Sequence, residues 1–94
     1  MAEAQARRPL AEKREGLIVV GVDPGRCKCG IAALDTSGRI LGRRIADPDE
    51  VCDAVSQIAQ GSDVVVVVGN GTGSHRILAS LRDAGFDVEE ADET

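Results

Sequence analysis

A chain of 94 residues allows one domain, and 43% hydrophobic residues allow it a core that is aliphatic, because Phe86 is the single aromatic residue. The net charge is −5, but Asp87, Glu89, Glu90, Asp92 and Glu93 carry five of the 16 acids, leaving 11 acids against 11 bases ahead of them. That neutrality argues against strong non-specific nucleic-acid binding through bulk positive charge and leaves room for a local basic patch. No apolar stretch is long enough to span a membrane. Three cysteines, Cys27, Cys29 and Cys52, are an odd number with no secretory signal ahead of them, and they predict a reduced, cytoplasmic setting. Cys27-x-Cys29 lacks a second ligand pair at zinc spacing and reads as reduced thiols beside a turn.

Residues 1–16 are rich in Ala, Glu and Arg, are broken by Pro9, and close no apolar stripe, so they read as a mobile tail. From Leu17 the pattern changes to a strand over 17–23, a turn, a strand over 29–35, the turn Thr36-Ser37-Gly38 and a strand over 39–46, an antiparallel meander. Asp47-Pro48-Asp49-Glu50 then predicts a helix start, with Asp47 as N-cap and Glu50 completing a capping box. Val51, Ala54, Val55, Ile58 and Ala59 form one apolar stripe, and Gly61 is the expected stop. The valine run Val64 to Val68 predicts a strand with no wet face. After Gly69-Asn70-Gly71-Thr72-Gly73-Ser74, a second helix carries Ile77, Leu78 and Leu81 and ends at Gly85, before a short strand from Phe86 to about Glu90.

The predicted order is β-β-β-α-β-α-β. A meander followed by two crossovers fits the ribonuclease H-like mixed α/β sheet of strand order 3-2-1-4-5, in which the first and fourth strands are parallel neighbours. Asp23, which ends the first strand, then lies beside Gly69 at the sheet edge where α/β proteins place their sites. Asp23-Pro24-Gly25 also suits a type II turn, and the two readings are compatible. Right-handed crossovers place both helices on one face. The valine run points Val65 and Val67 at the other face, and sheets of that composition are normally covered twice. The expectation is a domain shortened from a longer one, or a homodimer formed through the uncovered face.

The stretches Gly21-Val22-Asp23-Pro24-Gly25-Arg26-Cys27-Lys28-Cys29-Gly30-Ile31-Ala32, Val68-Gly69-Asn70-Gly71-Thr72-Gly73-Ser74 and Asp92-Glu93-Thr94 resemble the YqgF family of Holliday-junction-resolvase-like nucleases, over roughly residues 17 to 94. The resemblance implies Asp23 and Glu93 as catalytic carboxylates, with Asp92 beside them, holding Mg²⁺ or Mn²⁺. Two such ions activate water and stabilise the leaving oxygen of a phosphodiester, which requires carboxylates from separate strands to converge. It also implies branched DNA or precursor 16S ribosomal RNA as substrate. The family continues into a helix with a further metal-binding aspartate, and related resolvases place a glutamate where Asn70 stands, so the resemblance also implies a missing C-terminal helix.

Under the nuclease reading, Gly71, Thr72, Gly73 and Ser74 bring backbone N–H groups to a phosphate, and Arg26, Lys28 and Arg76 neutralise the scissile backbone. The plainer reading makes the loop a strand-to-helix turn and the three cations solvated surface charge. Scarce aromatics argue against a base-stacking platform and favour backbone or duplex-shape recognition. Two other classes stand beside the nuclease. One is a catalytically inert nucleic-acid-binding or interaction module on the same scaffold. The other is a nucleotide-binding α/β domain, suggested by Gly69-x-Gly71 between strand and helix, although Ser74 occupies the place of the third glycine and the Gly-Lys-Ser/Thr ending of a P-loop is absent. The actin-like phosphate-binding fold also opens with an Asp-x-Gly turn, but it needs a second domain.

Overall fold

The computed structural model describes residues 16–71 and 73–91. Most of the tail expected over residues 1–16, together with Thr72, Asp92 and Glu93, lies outside the described residues. Five strands, β1 (Ile18–Asp23), β2 (Cys29–Leu34), β3 (Ile40–Ala46), β4 (Val64–Gly69) and β5 (Asp87–Ala91), and two helices, α1 (Val51–Ala59) and α2 (Ser74–Asp83), follow the expected order. The sheet order is β3-β2-β1-β4-β5, with β1 antiparallel to β2, β2 antiparallel to β3, and β1 to β4 and β4 to β5 parallel.

Alternation along the strands decides which side chains meet the helices. Val20 and Val22, Cys29, Ile31 and Ala33, and Val66 and Val68 point to one face, where Val51, Ala54 and Val55 of α1 and Ile77, Leu78 and Leu81 of α2 close a single core. Each fully buried valine or leucine in it contributes on the order of 1.5–3 kcal/mol relative to exposure. Both helices therefore lie on one face, as the handedness of the crossovers requires. Val19, Val65 and Val67 face the other way and are only half-buried. Among the described residues no helix is long and apolar enough to cross a membrane.

Two local expectations are corrected. Asp47 makes no capping bond: its carboxylate accepts a 2.6 Å hydrogen bond from Lys28 Nζ, and Pro48–Glu50 forms a 3₁₀ turn before α1. The carboxylate is turned towards Lys28, on the β1–β2 connection, and away from the N–H groups of the turn that follows it. Asp23-Pro24-Gly25 is not a type II turn, because Gly25 has no positive φ. Its glycine is required for another reason: a Cβ there would overlap the Lys28 carbonyl. Gly85 does end α2 as expected, with φ 93°, Gly85 N–H donating to Arg82 O and Phe86 N–H to Leu81 O.

Candidate functional site

The C-terminal ends of β1, β3, β4 and β5 all emerge at one edge of the sheet, because these four strands are mutually parallel. Asp23, the 3₁₀ turn after β3, the glycine loop after β4 and Ala91 are thereby gathered there. Cross-strand pairing resolves the open face into rows, since paired residues share a face. Ile45 pairs with Gly30 and Gly30 with Asp23; Val22 pairs with Val68, which places Asp23 beside Gly69, and Gly69 pairs with Ala91. The next row reads Arg43, Ala32, Gly21, Val67 and Glu89.

Asp23 is thus the exposed carboxylate at the middle of a platform of small residues. Gly21, Gly30, Ala32 and Gly69 lack the side chains that would fill the space around it, and a Cβ at Gly21 would meet nothing within 4 Å. The result is an open concavity of about 780 Å³ whose walls include Asp23, Gly21, Gly30, Arg43, Ile45 and Ala91. Sequence reasoning found Asp23 but missed Arg43, Ile45 and the platform. The signal was the strand parity of Arg43 and Ile45, legible only once the β2–β3 register is known.

The glycine loop packs against the β1–β2 turn through backbone. A Cβ at Gly71 would stand 3.7 Å from the Pro24 carbonyl oxygen, and one at Gly73, whose φ is +83°, would stand 3.9 Å from that of Gly25. No side chain caps α2, and Ser74, at its first position, is buried. The expected cations are distributed unevenly. Lys28 is bonded to Asp47, which raises its pKa first through that hydrogen bond and then through the negative charge. Arg76 pairs with Asp49. Exposed pairs of this kind are worth about 0–1 kcal/mol, so an arriving phosphate can displace them. Arg26 is exposed and has no ion-pair partner among the described residues.

Among the described residues no group of three or more His, Cys, Asp or Glu is placed to hold a metal ion. They supply Asp23 to the concavity and do not by themselves fit a two-metal centre. Asp92 and Glu93, the other expected ligands, lie outside the described residues. The cysteines do not form a site either: Cys29 is buried in the core while Cys27 is exposed.

No protein-family model matches the chain, and no curated protein matches it. Among solved structures it is similar to the type II variant of the Aquifex aeolicus Ppx/GppA phosphatase, at 13% identity and a TM-score of 0.39 over 80% of this chain and 35% of that one. A second structure of the Aquifex aeolicus PPX-GPPA enzyme matches at 15% identity and a TM-score of 0.35, over 80% and 36%. The chain spans about a third of the length of these proteins. The chemistry of the site therefore rests on its own residues.

Proposed function

We propose that the chain hydrolyses phosphodiester bonds of structured nucleic acid, branched DNA or precursor ribosomal RNA, on a ribonuclease H-like scaffold. One observation carries the reading. Asp23 stands at the centre of the C-terminal sheet edge, on a platform of small residues, in the same row as Ala91, the residue immediately ahead of Asp92 and Glu93. Two strand spacings, about 10 Å, separate Asp23 from Ala91, a span that facing carboxylates and a bound cation can bridge. Mg²⁺ or Mn²⁺ would be the cofactor, supplying Lewis acidity and an activated water.

The chain's own groups have separate tasks in this reading. Gly21, Gly30 and Gly69 admit a sugar-phosphate backbone close to the Asp23 carboxylate. Arg26 meets the phosphate charge directly, while Lys28 and Arg76 exchange Asp47 and Asp49 for phosphate oxygens. The start of α2 has no side-chain cap, and because the Gly71 and Ser74 N–H groups already donate to the carbonyls of Gly69 and Gly71, Gly73 is the described loop residue whose N–H would meet the phosphate. The testing experiment is cleavage of a four-way DNA junction and of precursor ribosomal RNA with Mg²⁺ or Mn²⁺. Cleavage by the parent and its loss in Asp23→Asn are expected, and a mutant that still cuts would remove Asp23 from the chemistry.

A second reading, a nucleic-acid-binding module without catalysis, is favoured by Asp23 being the only acidic residue lining the concavity among the described residues. Binding of the same substrates, with no cleavage in either metal, would select it.

A further inference from the structure

The two edges of the sheet carry opposite charge in matching positions. On the open face, the row that begins at Arg43 on β3 runs through Ala32, Gly21 and Val67 to Glu89 on β5. On the helix face, the row that begins at Arg44 runs through Ile31, Val22 and Val68 to Glu90. Arg43, Arg44, Glu89 and Glu90 are all exposed. Between these rows and the sheet end, Ile45 stands on the first edge and Ala91 on the last.

Among the described residues both edges are also unpaired, since β3 and β5 each have one neighbour. Large exposed hydrophobic side chains are confined, among the described residues, to β3: Ile40, Leu41 and Ile45, the last 69% exposed. A seven-residue edge strand with that surface is a template for pairing.

We infer that copies of this chain associate head to tail through these edges, with β5 of one copy pairing with β3 of the next in a continuous sheet. β3 and β5 both run parallel to β1, so the new pair is parallel, like β1·β4 and β4·β5. In the unshifted register Glu89 meets Arg43 of the next copy on one face, Glu90 meets Arg44 on the other, and Ala91 lies against Ile45. Unlike charges on adjacent strands attract and like charges repel, which selects this arrangement. β5 against β5 would oppose acids to acids, and β3 against β3 arginines to arginines. Stacking two open faces leaves like charges together in either orientation. A two-fold axis along the strands brings Arg43 to Glu89 but sets Asp23, on the middle strand, against its own copy, and one across them sets Arg43 against Arg43 and Glu89 against Glu89.

A heterologous contact of this type does not close on itself, so the product is an open, twisted ribbon whose length grows with concentration. The C-terminal edge with Asp23 stays free along the ribbon, and the inference stands independently of the nuclease reading.

Sedimentation of the full chain across concentration, at low and high salt, tests it. Expected is a mass that rises past the dimer with concentration and falls towards monomer as salt screens the pairs. Arg43→Glu with Arg44→Glu, and separately Glu89→Arg with Glu90→Arg, should each lose association, while an equimolar mixture of the two double variants regains it, because every junction in the mixture is again acid against base. A monomeric parent at all salts, a mass that stops at the dimer, a double variant that assembles as the parent does, or folded variants that fail to assemble on mixing would overturn the inference. Should a variant fail to fold by far-ultraviolet circular dichroism, the parent's salt response decides: assembly that strengthens with salt overturns it.

Discussion

Gly21 lies in the middle of β1, opposite Ala32 on β2 and Val67 on β4, on the face that neither α1 nor α2 covers. Its φ is not positive, and an added Cβ would have no atom within 4 Å. Gly21→Ala therefore introduces neither clash nor backbone strain, and it buries almost no new apolar surface. What remains is the unfolded state, which loses the conformational freedom of glycine. A change of that kind stabilises by about 0.4–1 kcal/mol. In a domain of this size each kcal/mol moves Tm by roughly 4–8 °C, so a rise of about 2–8 °C is expected. The same methyl group stands two residues before Asp23 on the same face, inside the concavity. Stability should therefore rise while nucleic-acid cleavage or binding falls. Thermal unfolding by circular dichroism at high salt, paired with the cleavage assay, measures both. A lower Tm would mean that something packs onto Gly21, and it would refute the bare face from which the site is argued.

Three other outcomes follow from the packing and hydrogen bonds. Gly25→Ala drives a Cβ into the Lys28 carbonyl, a backbone atom that cannot step aside, and should cost about 1–3 kcal/mol by denaturant unfolding; an unchanged midpoint would contradict the close approach. Leu81 is fully buried where α2 meets the sheet, so Leu81→Ala should cost about 2–5 kcal/mol, and a loss below 1 kcal/mol, about the cost of a surface change, would argue against that packing. Asp35 accepts hydrogen bonds from the Ser37 hydroxyl, from the Arg39 and Ser37 backbone N–H groups and from the Arg39 side chain, which lower its pKa from 3.8 to about 2. A carboxylate with a depressed folded-state pKa stabilises fully above the unfolded value and loses that contribution as pH falls through the folded one, so the β2–β3 turn should loosen between about pH 4 and about pH 2. Carboxyl nuclear magnetic resonance gives the midpoint, and titration at 3.8 would remove the turn from the acid response.

Much of this architecture is legible in short-range spacing. The alternation of Val20 and Val22, the run Val64 to Val68, the stripe of α1 and the glycine after α2 each express a period that one strand or one turn of helix enforces on its own residues. Local rules failed where a distant group intervened. Asp47 had the residue type and position of an N-cap, but Lys28, nineteen residues earlier, took its carboxylate. Gly25 had the position of a type II turn, but its backbone folds against Lys28 without a positive φ.

The sequence by itself determined the order of elements, the aliphatic core, the single helix-covered face and the placing of Asp23 at a strand end. Only the tertiary structure decided which residues stand around that carboxylate. Arg43 and Ile45 reach the face of Asp23 through a β2–β3 pairing that contains an irregularity at Ala33/Leu34, and Arg76 reaches Asp49 across 27 residues. Strand register shifts by single residues at small local cost, yet each shift changes every neighbour across the sheet. A chain's local periods specify which side of a strand is apolar, whereas the company kept by its polar ends is settled by the packing of the whole.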